Sequence, residues 1–177
     1  ANADKVISIG HGAKADAEYS VVIGDEAGIG MVGDKNHVNG THIVIGKEAG
    51  QNIDGAENIS MGNSAGSNVK GNYNIAIGSG AGTYIGDKTA SSAQNSLAGY
   101  NVSLGYQANY YTAYTSIASA TALGSKTVAN TQGTAVGADA KATGNGSTAL
   151  GYTSLSEGEK SMALGEQSKA SGEGNVA

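Results

Sequence analysis

The amino-acid sequence predicts an all-β protein, a parallel β-solenoid of about ten short coils. A four-residue unit that ends in glycine recurs ten times along the 177 residues. Most successive units are 13 to 16 residues apart, which suits two short strands and two tight turns but is too short for a strand–helix–strand crossover. Glycine supplies 29 residues, and Pro, Cys, Trp and Phe are absent. Since Tyr is the only large aromatic residue, the core must be thin.

The repeated unit consists of an aliphatic residue or Thr, any residue, an aliphatic residue and Gly. Its first and third residues share one face of a strand, because side chains alternate along a strand. Glycine is expected at the end because the turn needs a backbone conformation, or a close backbone approach, that a Cβ would oppose. The turn glycines predicted in this way are Gly10, Gly24, Gly46, Gly62, Gly78, Gly105, Gly124, Gly137, Gly151 and Gly165.

A weaker unit of small residues follows each glycine and predicts the second strand of each coil. One coil cannot bury its aliphatic face, whereas stacked coils bury a continuous core. We therefore expect the paired aliphatic residues to face that core, together with Thr121, Thr134 and Thr148 in the same slots. Parallel strands are about 4.8 Å apart, so ten coils would form a rod of about 45–50 Å.

The whole chain, residues 1–177, is predicted to be a single domain with three insertions between coils, near residues 25–42, 83–101 and 106–120. Other repeat architectures fit worse. Hexapeptide β-helices need period six, calcium-binding rolls need a glycine- and aspartate-rich nonapeptide, and leucine-rich repeats need longer units with fixed Leu.

Composition excludes several classes of function. The formal charge of −5 and the lack of a Lys/Arg stripe disfavour nucleic-acid or anionic-membrane binding. Without cysteine there are no disulfides, thiolate catalysis or Cys-bound metal. No apolar run reaches the ~20 residues of a membrane span, and the first residues lack the features of a signal peptide. We therefore expect a mature or excised fragment without direct membrane contact.

Three matches to catalytic or ligand-binding motifs are attributed to the glycine-rich repeat. Gly28–Gly33 fits the dinucleotide fingerprint, but turn residues follow it where a helix is required. Gly62–Gly66 fits a nucleophile elbow around Ser64, but Glu48 and Gly80 occupy the same slot in the neighbouring coils. The possible metal ligands of one loop, which have no known metal-site spacing, are Asp34, Asn36, His37 and His42. We predict no catalytic residues, no cofactor and no metal.

The repeats resemble those of YadA-like heads in trimeric autotransporter adhesins. The closest likeness is in Ser20–Gly24, Thr134–Gly144 and Ser161–Gly172, and the ten units extend it along essentially the whole chain. The resemblance implies a left-handed parallel β-roll, a homotrimer, and display on the bacterial surface beyond the outer membrane. It also implies adhesion to host cells or to collagen, laminin or fibronectin. The chain departs from the family in having no recognisable neck, stalk or anchor after Gly174, and in its long insertions.

Tyrosines concentrate in and beside the third insertion. Tyr offers a large contact area with a polar tip and is enriched at binding surfaces. We therefore regard Tyr106, Tyr110, Tyr111 and Tyr114 as a candidate ligand-contact surface, with Tyr100 beside it. The alternative is that these rings cover the solenoid where coil length changes. Three copies of any weak site would gain avidity in a trimer.

Two other functions remain open from the sequence. A carbohydrate-binding or carbohydrate-degrading β-helix, such as a phage tail-spike fragment, would normally need clustered carboxylates, and the acidic residues here are scattered. An ice-binding solenoid would need regular Thr-x-Thr rows. The sequence favours a binding protein over an enzyme. Three-fold packing would cover an additional apolar face, but either face of the strand could line the axis.

Overall fold

A computed structural model describes residues 3–33, 40–86, 99–110 and 117–177. Its described residues form short strands joined by turns, and no helix occurs among them. The strands are β1 (Ile7–Ile9), β2 (Val21–Ile23), β3 (Val32–Gly33), β4 (Ile43–Ile45), β5 (Asp54–Gly55), β6 (Ile59–Met61), β7 (Ile75–Ile77), β8 (Val102–Leu104), β9 (Thr121–Leu123), β10 (Val128–Ala129), β11 (Thr134–Val136), β12 (Lys141–Ala142), β13 (Thr148–Leu150), β14 (Leu155–Ser156), β15 (Met162–Leu164) and β16 (Lys169–Ala170).

The ten repeated units form one parallel sheet, in the order β1-β2-β4-β6-β7-β8-β9-β11-β13-β15. The register keeps equivalent positions in line, so that Ile7 pairs with Val21 and Thr148 pairs with Met162. Smaller parallel sheets, β10-β12-β14-β16 and β3-β5, form on other sides of the coils. The prediction of an all-β parallel solenoid of about ten coils is confirmed. Each predicted insertion contains a segment outside the described residues, so the domain and insertion boundaries stay predictions.

The solenoid contains two coil formats, with short coils at its two ends and longer coils between them. In the short coils of the C-terminal part, the second strand places Ala129, Ala142 and Ala170 in the interior. Between Gly24 and Gly86 the described coils contain an additional turn, and their interior holds larger residues, Ile53 and Val69. The extra residues of the longer coils widen the interior, which is why larger aliphatic side chains pack there.

The middle residue of each repeated unit, not the aliphatic pair, faces the coil interior. Val22, Val44, Ala135 and Ala149 have no exposed surface, and the same position is buried in nine of the ten strands. The interior at this point is narrow because the opposite side of a short coil is close. Ala, Ser and Val fit there without straining the backbone, whereas a larger side chain would overpack the coil.

The expectation that the paired aliphatic residues face the core is therefore wrong. They point outward, and several are well exposed, including Ile9 at 58% and Leu164 at 46%. Thr121, Thr134 and Thr148 lie on the same outward face and are only partly buried. The alternation of side chains correctly predicts that the two aliphatic residues share one side of the strand. It does not predict whether that side faces the interior or the solvent.

The turn glycines stack directly on one another. Gly46, for example, has φ of +135°, and a Cβ built there would lie 2.5 Å from the carbonyl oxygen of Gly62 in the next coil. Backbone hydrogen bonds run between the coils at the same place, with Gly46 N–H donating to Ile23. Both the dihedral angle and the closeness of the next coil therefore require glycine.

Candidate functional site: the aliphatic face and the tyrosine pairs

An apolar surface runs along the whole ten-stranded sheet and is called here the aliphatic face. It consists of the first and third residues of the ten strands: Ile7, Ile9, Val21, Ile23, Ile43, Ile45, Ile59, Met61, Ile75, Ile77, Val102, Leu104, Thr121, Leu123, Thr134, Val136, Thr148, Leu150, Met162 and Leu164. No member is charged. A long, partly exposed surface that is apolar except at three Thr positions marks an interaction site in soluble proteins.

The face changes in character along the solenoid. In the first six strands of the sheet, which are β1, β2, β4, β6, β7 and β8, the first and third residues are both apolar. In β9, β11 and β13 the first residue is Thr. The last strand of the sheet, β15, again has two apolar residues, Met162 and Leu164. The N-terminal six strands therefore offer the larger apolar area to a partner.

The structure separates the predicted tyrosine surface into distinct contacts. Tyr110 meets Tyr84 edge to face, with ring centroids 6.0 Å apart. Tyr100 instead stacks on Tyr73 at 4.9 Å. Tyr106 is exposed at 52% and lies just after the turn glycine of its coil. Tyr111 and Tyr114 lie outside the described residues. The sequence did not predict the pairing of rings across coils. The repeated unit aligns the strands with one another, but it does not align the segments between the strands, which differ in length.

The rejected motifs have ordinary surroundings. The Ser64 hydroxyl lies 2.8 Å from Asn63 Oδ1 and 3.5 Å from Glu48 Oε2, and within the described residues no hydrogen bond joins it to a histidine. Ser64 and Glu48 occupy equivalent slots in adjacent coils, as the repeat predicts. The hydrogen bond from Ser64 N–H to the Lys47 carbonyl shows this alignment. Within the described ranges no group of three or more His, Cys, Asp or Glu side chains could hold a metal ion. Asp34, Asn36 and His37 lie outside those ranges.

A polar ladder inside the solenoid occupies the slot just before successive strands. It is formed by Ser20, His42, Asn58, Asn74 and Asn101, all of them buried. Each side chain receives a hydrogen bond from the backbone of the next coil. Asn74 N–H donates to Asn58 Oδ1 at 2.9 Å, and Asn58 N–H donates to His42 Nδ1 at 3.3 Å. The sequence signal, three Asn residues directly before units, could have revealed the ladder.

His42 is the titratable member of this ladder. It is 1% exposed, and its Nε2 has no hydrogen-bond partner among the described residues. Burial lowers the pKa of His42 from 6.5 to about 4, and the neighbouring backbone at Gly55 and Asn58 opposes this shift. The ring is therefore neutral in the folded protein near neutral pH, and Nδ1 accepts the hydrogen bond from Asn58.

We expect His42 to make the protein acid-sensitive. The unfolded chain takes up a proton at His42 as the pH falls below 6.5, whereas the folded chain does so only near pH 4. The free energy of unfolding should therefore fall between these two values, by about 3 kcal/mol in total. His42→Asn, which repeats the residue of the next three slots, should remove this part of the pH dependence. Urea denaturation at several pH values measures it.

The matched control for that measurement is His11→Asn. The His11 side chain is 88% exposed, so its replacement should leave the fall in stability between pH 6.5 and 4 in place. An unchanged pH profile in His42→Asn would contradict the assignment.

The family model described as YadA head domain repeat (2 copies) matches residues 7–27, 130–154 and 156–177. These segments lie in the short coils at the two ends of the solenoid, and the longer central coils lie outside the match. No curated protein matches the chain. Within the described residues, no helix has the length and apolar character needed to cross a membrane.

Proposed function

Because the chain is a YadA-like head domain of a trimeric autotransporter adhesin, we propose that it attaches a bacterium to host cells or to extracellular matrix proteins. Collagen, laminin and fibronectin are the matrix partners that the resemblance favours. Proteins of this family are exposed on the cell surface, and this location supports a role in contact with such partners. The proposal describes a binding protein and not an enzyme.

The aliphatic face is the observation that carries this proposal. A monomer would leave two apolar residues in each of seven coils, and one apolar residue beside a Thr in the coils of β9, β11 and β13, at least partly in contact with water. Association of three chains through this face would bury it, and a fully buried Val, Leu or Ile side chain contributes about 1.5–3 kcal/mol. The small interior residues are already covered within each chain. We therefore assign the aliphatic face to the three-fold axis and the remaining sides of each coil to ligand contact.

Assembly and adhesion are tested together on the same preparation. Light scattering should give a native mass three times the 17.4 kDa of one chain. The trimer should then bind at least one of immobilised collagen, laminin, fibronectin or host cells. A trimer that binds none of these, while releasing reducing ends from bacterial polysaccharides, would replace the proposal with a carbohydrate-degrading β-helix.

We expect Tyr106 and Tyr110 to contribute to matrix binding. Both are exposed, at 52% and 39%, and truncation of an aromatic residue at a binding hot spot weakens binding by about 2 kcal/mol or more. The double variant Tyr106→Ala/Tyr110→Ala should therefore bind at least about tenfold more weakly. Surface plasmon resonance on the immobilised matrix protein measures the effect.

Tyr152→Ala is the matched control, since Tyr152 is 53% exposed and follows a turn glycine as Tyr106 does. This variant should bind as the unmodified protein does. Equal binding by all three proteins, with unchanged circular dichroism, would show that the tyrosines only cover the solenoid.

A further inference from the structure

Two rows of residues border the aliphatic face along the solenoid. The residue two positions before each strand of the face forms the entry row, which contains Lys5, Tyr19, Thr41, Glu57, Tyr73, Tyr100, Ser119, Gln132, Gly146 and Lys160, all except Thr41 in the left-handed conformation. The residue after each turn glycine forms the exit row, which contains His11, Asp25, Lys47, Asn63, Ser79, Tyr106, Ser125, Ala138, Tyr152 and Glu166. Every strand of the face thus begins beside an entry residue and ends beside an exit residue.

Three-fold symmetry brings these two rows together between chains. This step rests on the trimer of the proposed function. Each strand runs perpendicular to the direction in which the coils stack. When the aliphatic face lines a three-fold axis parallel to that direction, the strands are perpendicular to the three-fold axis. Rotation about a three-fold axis moves a strand without changing its height. Three equivalent strands therefore form a triangle arranged head to tail. At each corner the exit residue of one protomer meets the entry residue of the next, in the same coil.

At β8 this corner is aromatic. Tyr100 is the entry residue and Tyr106 the exit residue of that strand, and they are 65% and 52% exposed. Tyr73 of the preceding coil stacks on Tyr100, with an angle of 15° between the rings. Within one chain the whole of β8 separates Tyr100 from Tyr106. A single chain cannot complete the cluster, whereas each trimer corner collects three rings from two chains.

The entry and exit residues around this corner are uncharged, and the charged residue beside them is Lys126, whose backbone N–H donates to the Tyr106 carbonyl from the next coil. The entry and exit residues of β7, β8 and β9 are Tyr73, Ser79, Tyr100, Tyr106, Ser119 and Ser125. Farther along the same rows the corners are charged, as with Lys160 and Glu166 at β15. A charged ligand would require charge-assisted hydrogen bonds, which these six residues do not offer.

We infer that the three corners at β8 are binding sites for a neutral saccharide, each built from two protomers. The apolar face of a sugar ring packs against an aromatic ring, and its hydroxyl groups pair with phenol and serine hydroxyls. The amide of Gln107, next to Tyr106, adds a donor and an acceptor. Three equivalent sites around the axis suit a multivalent, glycan-bearing surface.

The geometry of the corner is tested by disulfide trapping. The chain contains no cysteine, so the double variant Tyr100→Cys/Tyr106→Cys introduces the only thiols. Mild oxidation should produce a covalent trimer on a denaturing gel. Tyr100→Cys/Tyr152→Cys uses the same two rows at different heights and should remain monomeric on that gel.

Native mass measured in parallel distinguishes failure of the shared corner from failure of the trimer. A native trimer that fails to cross-link through positions 100 and 106 overturns the shared corner and leaves the proposed trimer intact. A native monomer overturns both.

Saturation-transfer NMR on the native trimer tests the ligand, with lactose and maltose as neutral probes and sialyllactose as the charged comparison. Signals from a neutral sugar are expected, with loss in Tyr100→Ala and in Tyr106→Ala and retention in Tyr152→Ala. Binding of sialyllactose alone, binding of a proline-rich peptide in place of sugars, or neutral-sugar signals that survive both alanine variants would overturn the inference.

Discussion

Ile77→Asp is expected to convert the trimer into monomers. Ile77 lies in the middle of the aliphatic face, 39% exposed in one chain, and is paired in register with Met61 and Leu104. In the trimer the substitution would place three carboxylates around one axis, among apolar side chains. Burial of an unpaired charge is far more costly than the loss of the apolar contact. Light scattering should show the mass of one chain over the whole concentration range.

The control for this substitution is Ser79→Asp, which adds the same charge two residues later, in the exit row, where Asp25 and Glu166 already provide carboxylates. It should leave the trimer intact. Because Ile77 is outside the interior of its own coil, both variants should retain the far-ultraviolet circular dichroism of the parent. If Ile77→Asp stays trimeric, the aliphatic face is not the three-fold interface.

Gly46→Ala should destabilise the fold by about 2–6 kcal/mol. Part of this cost is the left-handed dihedral angle, φ +135°, which costs a residue with a Cβ of order 1–3 kcal/mol. The remainder is the contact of the new Cβ with the Gly62 carbonyl, 2.5 Å away, since forced overpacking costs about 1–3 kcal/mol. Backbone of the next coil cannot move aside without breaking the hydrogen bond of Gly62 N–H to Ile45. Urea denaturation gives the free energy of unfolding.

Gly165→Ala separates the two contributions. Gly165 has φ of +115°, but a Cβ there meets no atom within 4 Å. We therefore expect only the dihedral cost, about 1–3 kcal/mol. Equal losses in the two variants would mean that the stacked glycine carbonyls do not constrain the coils, and that conformation alone explains the repeated glycine.

The tyrosines show how far a candidate site can be predicted from the sequence. Their concentration near the third insertion is visible in one dimension, but contacts between rings are made across coils. Tyr100 stacks on Tyr73 and Tyr110 meets Tyr84, at sequence separations of 27 and 26 positions. Those separations span an insertion of irregular length, so no period of the sequence predicts them.

By itself, the sequence determined the period, the parallel stacking, the number of coils and the positions of the turns. These properties follow from local rules, since strand alternation and the need for glycine are visible within a few residues. Only the tertiary structure decided which side of each strand points inward. It also showed that the buried His42 belongs to a ladder that continues with asparagines. Both depend on the width of the coil interior and on the residue stacked one coil away, because packing space is set by chain segments that are distant in sequence.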